Sequence, residues 1–173
     1  MPNPAIHHHR VTSFQTKIRR TMESEIAWDT DTEGMVTGSG LHDGYFYGAL
    51  QKGSRLTLYL KSYDDHGRRV ELSGITEMNI TDFWIGSIIG DVHLWPLEKA
   101  SPLMWENLFA GRIVLHDREG SLRKLIESAT GRYFFALEAS YGANVYALCD
   151  AMKITDEASD GSEDRPLTDA ITE

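Results

Sequence analysis

Residues 55–61 read Arg-Leu-Thr-Leu-Tyr-Leu-Lys, and this alternation constrains the fold more than any other feature. Leu56, Leu58 and Leu60 fall on one side of an extended chain, and Thr57, Tyr59 and Lys61 on the other. Period two belongs to a strand with one buried face; a helix would scatter the same leucines around its axis. Tyr63-Asp64-Asp65-His66-Gly67 then supplies turn chemistry, and Val70 and Leu72 resume the alternation, so residues 55–75 read as a β-hairpin. Upstream, residues 41–50 (LHDGYFYGAL) read as an aromatic-rich strand with Gly44 and Gly48 as bulge positions.

Four further segments follow the same rule. In residues 87–95 (SIIGDVHLW), Ile88, Gly90, Val92 and Leu94 are expected on one face, with Ile89, Asp91, His93 and Trp95 on the other. Residues 132–140 and 144–154 read as two strands joined across Tyr141-Gly142-Ala143, and residues 75–83 add a weaker one. Two helices interrupt the pattern. Ser101 can cap one, with Pro102 at its first position, Gly111 at its end and Leu103, Met104, Leu108 and Phe109 as its apolar stripe. The other runs from Ser121 to Thr130, with Leu122, Leu125, Ile126 and Ala129 at helical spacing. The expected class is mainly β: an antiparallel sandwich or partly closed barrel with one or two short helices.

The chain of 173 residues suits one domain with tails. Residues 1–22 carry Arg10, Lys17, Arg19 and Arg20 and no acid, and read as a flexible basic arm or as an over-long gene start with translation beginning at Met22. Residues 23–40 read as a loop-rich lead-in, 41–155 as the β-rich domain and 156–173, with seven acids against Arg165, as a disordered acidic tail. The formal charge of −9 argues against a nucleic-acid binder, which needs a basic patch, and is compatible with a basic protein partner. No apolar run is long enough for a transmembrane helix, so no membrane partner is expected. With Cys149 alone, no intramolecular disulfide can form, and a reducing, cytoplasmic setting is the expectation. Exposed edge strands in such a sheet could pair to make a homodimer.

Chemistry-bearing residues are few. Asp91 and His93, two apart on a strand, share a face and could orient one another as a catalytic pair or ligate a metal. Two other His-Asp doublets occur, His42-Asp43 at a strand start and His116-Asp117 where the apolar run Arg112–Leu115 ends as a strand. His42, Asp91, His93 and His116 together would suit a divalent metal such as zinc, although the His-x-His spacing of cupin sites is missing from the body. His7-His8-His9 reads as a compositional match rather than a native site. No nucleophile elbow, phosphate loop, dinucleotide fingerprint or Cys-x-x-Cys pair is present, and Cys149 sits in an apolar strand as an inert thiol. Tyr59 and Trp95, on the outward side of their strands, are the recognition residues expected for a binding face.

The LHDG opening, the Leu-rich hairpin and the late run SYGANVYALCDAMKI resemble small uncharacterised bacterial β-rich domains, some of which are similar to immunity proteins of polymorphic toxin systems. The resemblance implies a stoichiometric binder in a bacterial cytoplasm and carries over no catalytic residue. The residues themselves read first as a non-enzymatic interaction module that uses no cofactor. Two alternatives stay open: a small metal-dependent enzyme built on Asp91 and His93, and a ligand-binding barrel with an aromatic pocket.

Overall fold

The computed structural model describes residues 24–83 and 86–156. The basic arm with His7–His9 and Met22, the residue Trp84 and the tail from residue 157 onward lie outside the described residues. The strands are β1 (Ser24–Glu25), β2 (Asp29–Thr30), β3 (Val36–Thr37), β4 (Tyr45–Lys52), β5 (Arg55–Lys61), β6 (Gly67–Ser73), β7 (Glu77–Thr81), β8 (Ser87–Pro96), β9 (Tyr133–Tyr141), β10 (Asn144–Cys149) and β11 (Ala151–Asp156). Helices α1 (Pro102–Leu108) and α2 (Arg118–Ser128) lie between β8 and β9. Among the described residues, no helix is long and apolar enough to cross a membrane.

Nine strands form one antiparallel sheet in the order β1-β11-β6-β5-β4-β8-β9-β10-β7, with β2 and β3 as a separate ribbon. The sheet is not closed into a barrel, but it folds back on itself through a shared corner. β6 and β7 are separated by Gly74-Ile75-Thr76, and β10 and β11 by Asp150 alone. β6 pairs with β11 and β7 pairs with β10, so two bent strands run side by side across the corner. Gly74 turns it at φ +68°, and a Cβ there would stand 2.2 Å from the Asp150 carboxylate.

The inner surface of this fold is one apolar core. Leu56, Leu58 and Leu60 meet Val70 and Leu72, Phe46, Leu137, Val145 and Ile154. The alternation in β5 therefore points as the sequence predicts. A second cluster covers the other side of β9 and β10, where Phe134, Ala136, Tyr146 and Leu148 pack against Trp105 and Leu108 of α1, Phe109 just after it and Leu122 of α2. Burial on both faces explains why these two strands read as nearly continuous apolar runs rather than alternating ones.

Within the loop-rich lead-in, β1 extends the sheet edge, and Trp28 and Val36 pack on the main core. Several expectations are corrected. Arg112–Leu115 is not a strand; a 3₁₀ turn over Leu115–Asp117 follows it directly, and Asp117 caps α2 by accepting from the Gly120 amide. Its side chain replaces a strand end with a helix start. Ser101 and Pro102 open α1 as expected, but the helix ends at Leu108, before Gly111. Leu103 is 65 % exposed and Trp105 takes its place on the buried stripe, because α1 faces the aromatic side of β9. In β8, Ile89 rather than Ile88 is in the core. Register shifts on either side of Ile89 reverse the alternation there, and from Asp91 onward the faces are as expected.

Candidate functional site

The hairpin geometry of β4 and β5 brings two Asp-rich turns to one end of the sheet. Tyr45 pairs with Lys61, so the turn before β4 and the turn after β5 must be neighbours. They touch closely. A Cβ on Gly44 would lie 2.4 Å from the Lys61 carbonyl oxygen, and one on Gly40 would lie 3.9 Å from the Tyr63 ring. His42 and Asp43 thus sit in a turn, not within a strand, and Asp43 adopts φ 59° there. Asp65 occupies the same left-handed region at φ 72° in the second turn. Asp tolerates this conformation because its short side chain bonds locally.

The two turns present Asp43, Asp64 and Asp65 outward together with Tyr63, which is 71 % exposed. Lys61 pairs with Asp65. The Ser62 hydroxyl donates to Asp64 and holds its carboxyl below the usual carboxylate range, with His66 and Arg68 adding to the effect against some desolvation. Beside the turns, Tyr45 is paired with Ile88 and Ile88 with Tyr141, which gives a cross-strand row carrying two exposed tyrosines. Tyr47 adds a third ring, 6.4 Å from that of Tyr45.

His42 bridges this end to β8. Its Nδ1–H donates to the Gly90 carbonyl oxygen and lies 3.5 Å from an Asp91 oxygen; its Nε2 lies 3.6 Å from Asp43. The irregular register around Ile89 leaves the Gly90 carbonyl turned from the ladder and open to this bond.

Asp91 and His93 make no hydrogen bond or ion pair with each other. Asp91 and His93 share a face, but Asp91 faces His42 while the His93 ring stacks on Trp95, centroids 4.4 Å apart and 7° from parallel. His93 Nδ1 is buried without a hydrogen-bond partner. Nor do the four metal candidates meet. His42 and Asp91 are neighbours, while exposed His116 lies in the turn between the helices. Among the described residues, no three His, Cys, Asp or Glu side chains come together in a way that could hold a metal ion.

Of the two recognition residues, Trp95 is partly covered by the lead-in. It is half-buried, with its indole N–H donating to the Glu33 carbonyl oxygen at 2.6 Å and its edge against Phe134. Gly34, at φ +78°, lies under the indole, where a Cβ would stand 2.4 Å from the ring. Nothing in the residue order indicates that the lead-in covers this residue. Tyr59 is half-buried, with the Arg69 guanidinium 5.7 Å over its ring. Cys149 is buried, and burial pushes its thiol up to about 12.

The acidic and tyrosine-bearing turns lie outside the candidate site residues that the residue pattern indicates. The hairpin read over residues 55–75 is the β5–β6 pair; the turns meet through the β4–β5 pairing, in which two consecutive antiparallel strands bring their outer ends together. Comparison of the chain with protein-family models, with curated proteins and with solved structures gives no match.

Proposed function

We propose that this protein is a non-enzymatic protein-interaction module, immunity-like in its mode of action, that binds a basic partner in a bacterial cytoplasm. The observation that carries the reading is the sheet end where Asp43, Asp64 and Asp65 stand beside Tyr63 and Tyr45 on two abutting turns. Tyrosine supplies broad contact area at low entropic cost, and carboxylates steer a cationic partner and fix its register. Two further features support it. The interior is filled by fully buried side chains such as Phe46, Leu58, Leu72 and Leu137, as a rigid scaffold requires. The net charge of −9 favours encounter with a basic surface. No cofactor enters this mechanism.

The test is a comparative capture experiment. Immobilised full-length protein is exposed to a bacterial lysate in parallel with a triple variant, Asp43→Asn, Asp64→Asn and Tyr45→Ala, whose thermal unfolding is checked first. The expected result is a stoichiometric basic protein held by the native chain and lost, by tenfold or more in affinity, by the variant, on the order of two interface anchors. Equal retention by both chains, or no basic protein retained, overturns the reading.

A further inference from the structure

A groove on the helical side, remote in the fold from the acidic turns, carries an inference that does not depend on the interaction reading. Its volume is about 760 Å³, within the range of small-ligand sites. The floor is apolar and aromatic: Leu97, Trp105, Ile126 and Tyr133 converge there from the 3₁₀ turn after β8, α1, α2 and the start of β9. Two side chains of opposite charge, Glu98 and Arg132, line the same groove. Neither has a hydrogen-bond or ion-pair partner among the described residues, and they do not pair with each other.

The position of Arg132 is fixed from both sides. Its amide donates to the Cys149 carbonyl oxygen at 3.0 Å, and its own carbonyl oxygen accepts from the Leu97 amide at 3.1 Å. Glu98 stands in the 3₁₀ turn that begins at Leu97, so one backbone bond ties the two charged residues' segments together. The backbone at Arg132 is thus held by β10 and by the 3₁₀ turn that carries Glu98, while both head groups face the groove. Arg presents a planar fork matched to a carboxylate, and Glu accepts from an ammonium.

From this arrangement we propose that the groove binds a zwitterion with a bulky apolar group: its carboxylate on Arg132, its ammonium on Glu98 and its side chain over Trp105 and Ile126. A free apolar amino acid and a short apolar peptide share that chemistry. A lone anion would meet Glu98 unfavourably, and a lone cation would meet Arg132.

The experiment uses the full chain and two probes, free phenylalanine and the dipeptide leucyl-phenylalanine, followed by calorimetry and by amide chemical shifts in NMR. Saturable binding is expected, with shifts at Gly131, Arg132 and the Trp105 indole. Arg132→Gln should weaken it about tenfold or more, as loss of a charged hydrogen bond does. Phenylalaninamide, which lacks the carboxylate, should lose the same factor against the native protein and nothing further against Arg132→Gln. N-acetyl-phenylalanine should behave likewise with Glu98→Gln. Both positions are exposed, so neither substitution threatens folding. A stronger dipeptide assigns the site to peptides, and a stronger amino acid assigns it to free amino acids. Absence of saturable binding by either probe, affinity indifferent to Arg132→Gln, or shifts mapping elsewhere overturns the proposal.

Discussion

The buried Cys149 thiol, raised to about 12 first by desolvation and then by the Asp150 carboxylate, holds its proton where an ordinary thiol at 9.0 would lose it. The folded state therefore favours the neutral form. Its contribution to stability is complete below pH 9 and is lost as pH rises from there toward 12, because the unfolded chain ionises first. Native protein at pH 8 should leave Cys149 unalkylated by iodoacetamide over hours, while protein in denaturant reacts fully; mass spectrometry reads the difference. Gly44 is limited by space. An added methyl would meet the Lys61 carbonyl oxygen at 2.4 Å and the Leu41 carbonyl oxygen at 2.9 Å, both of them backbone atoms. Gly44→Ala should cost about 1–3 kcal/mol in urea unfolding, the usual range for overpacking, with an unchanged denaturant slope.

Helices α1 and α2 are short, and each begins on a capping side chain. Ser101 accepts from the Met104 amide at 3.4 Å, and Asp117 accepts from the Gly120 amide at 3.2 Å. Few apolar residues of α2 are fully buried, with Leu122 at 9 % exposure and Leu125 and Ile126 only partly covered, so its cap matters more than in a deeply packed helix. Asp117→Ala should cost about 1 kcal/mol and lower Tm by a few degrees. Calorimetry would check this, and Asp117→Asn, which keeps an accepting oxygen, should restore most of the loss. The sequence marked α1 through its Ser101 cap and α2 through apolar spacing alone, and α2 begins at Arg118 on the Asp117 cap rather than at Ser121 as expected. It misplaced the inward residue of α1 because Leu103 and Trp105 are both apolar, and only the aromatic face of β9 decides between them.

At the scale of the molecule, the charge of −9 and the carboxylates on the two turns make association with a basic partner dependent on salt. Raising ionic strength from about 0.02 M to about 0.5 M should slow association by about tenfold or more and change dissociation little, which stopped-flow mixing can separate. Lowering pH through the carboxylate range should weaken the same complex. Asp64 resists this longest in direction, since the Ser62 hydroxyl and the cations nearby favour its charged form. The corner at Gly74 and Asp150 acts on the same scale: it turns a flat ladder into a fold with an inside.

What residue order alone determined was local. Alternation placed Leu56, Leu58 and Leu60 inward, turn residues set the β5–β6 hairpin, the Ser101 cap opened α1, and a single cysteine excluded an intramolecular disulfide. Each depends on neighbours within a few positions, where period and turn chemistry act directly. The tertiary structure decided the rest. It set Asp91 against His42 instead of His93, covered Trp95 with Gly34, and gave Ile89 the core position expected of Ile88. These outcomes follow from strand register, bulges and the packing of distant segments. Register fixes which side chains meet across the sheet, and it is chosen by the whole set of pairings at once rather than by any one strand.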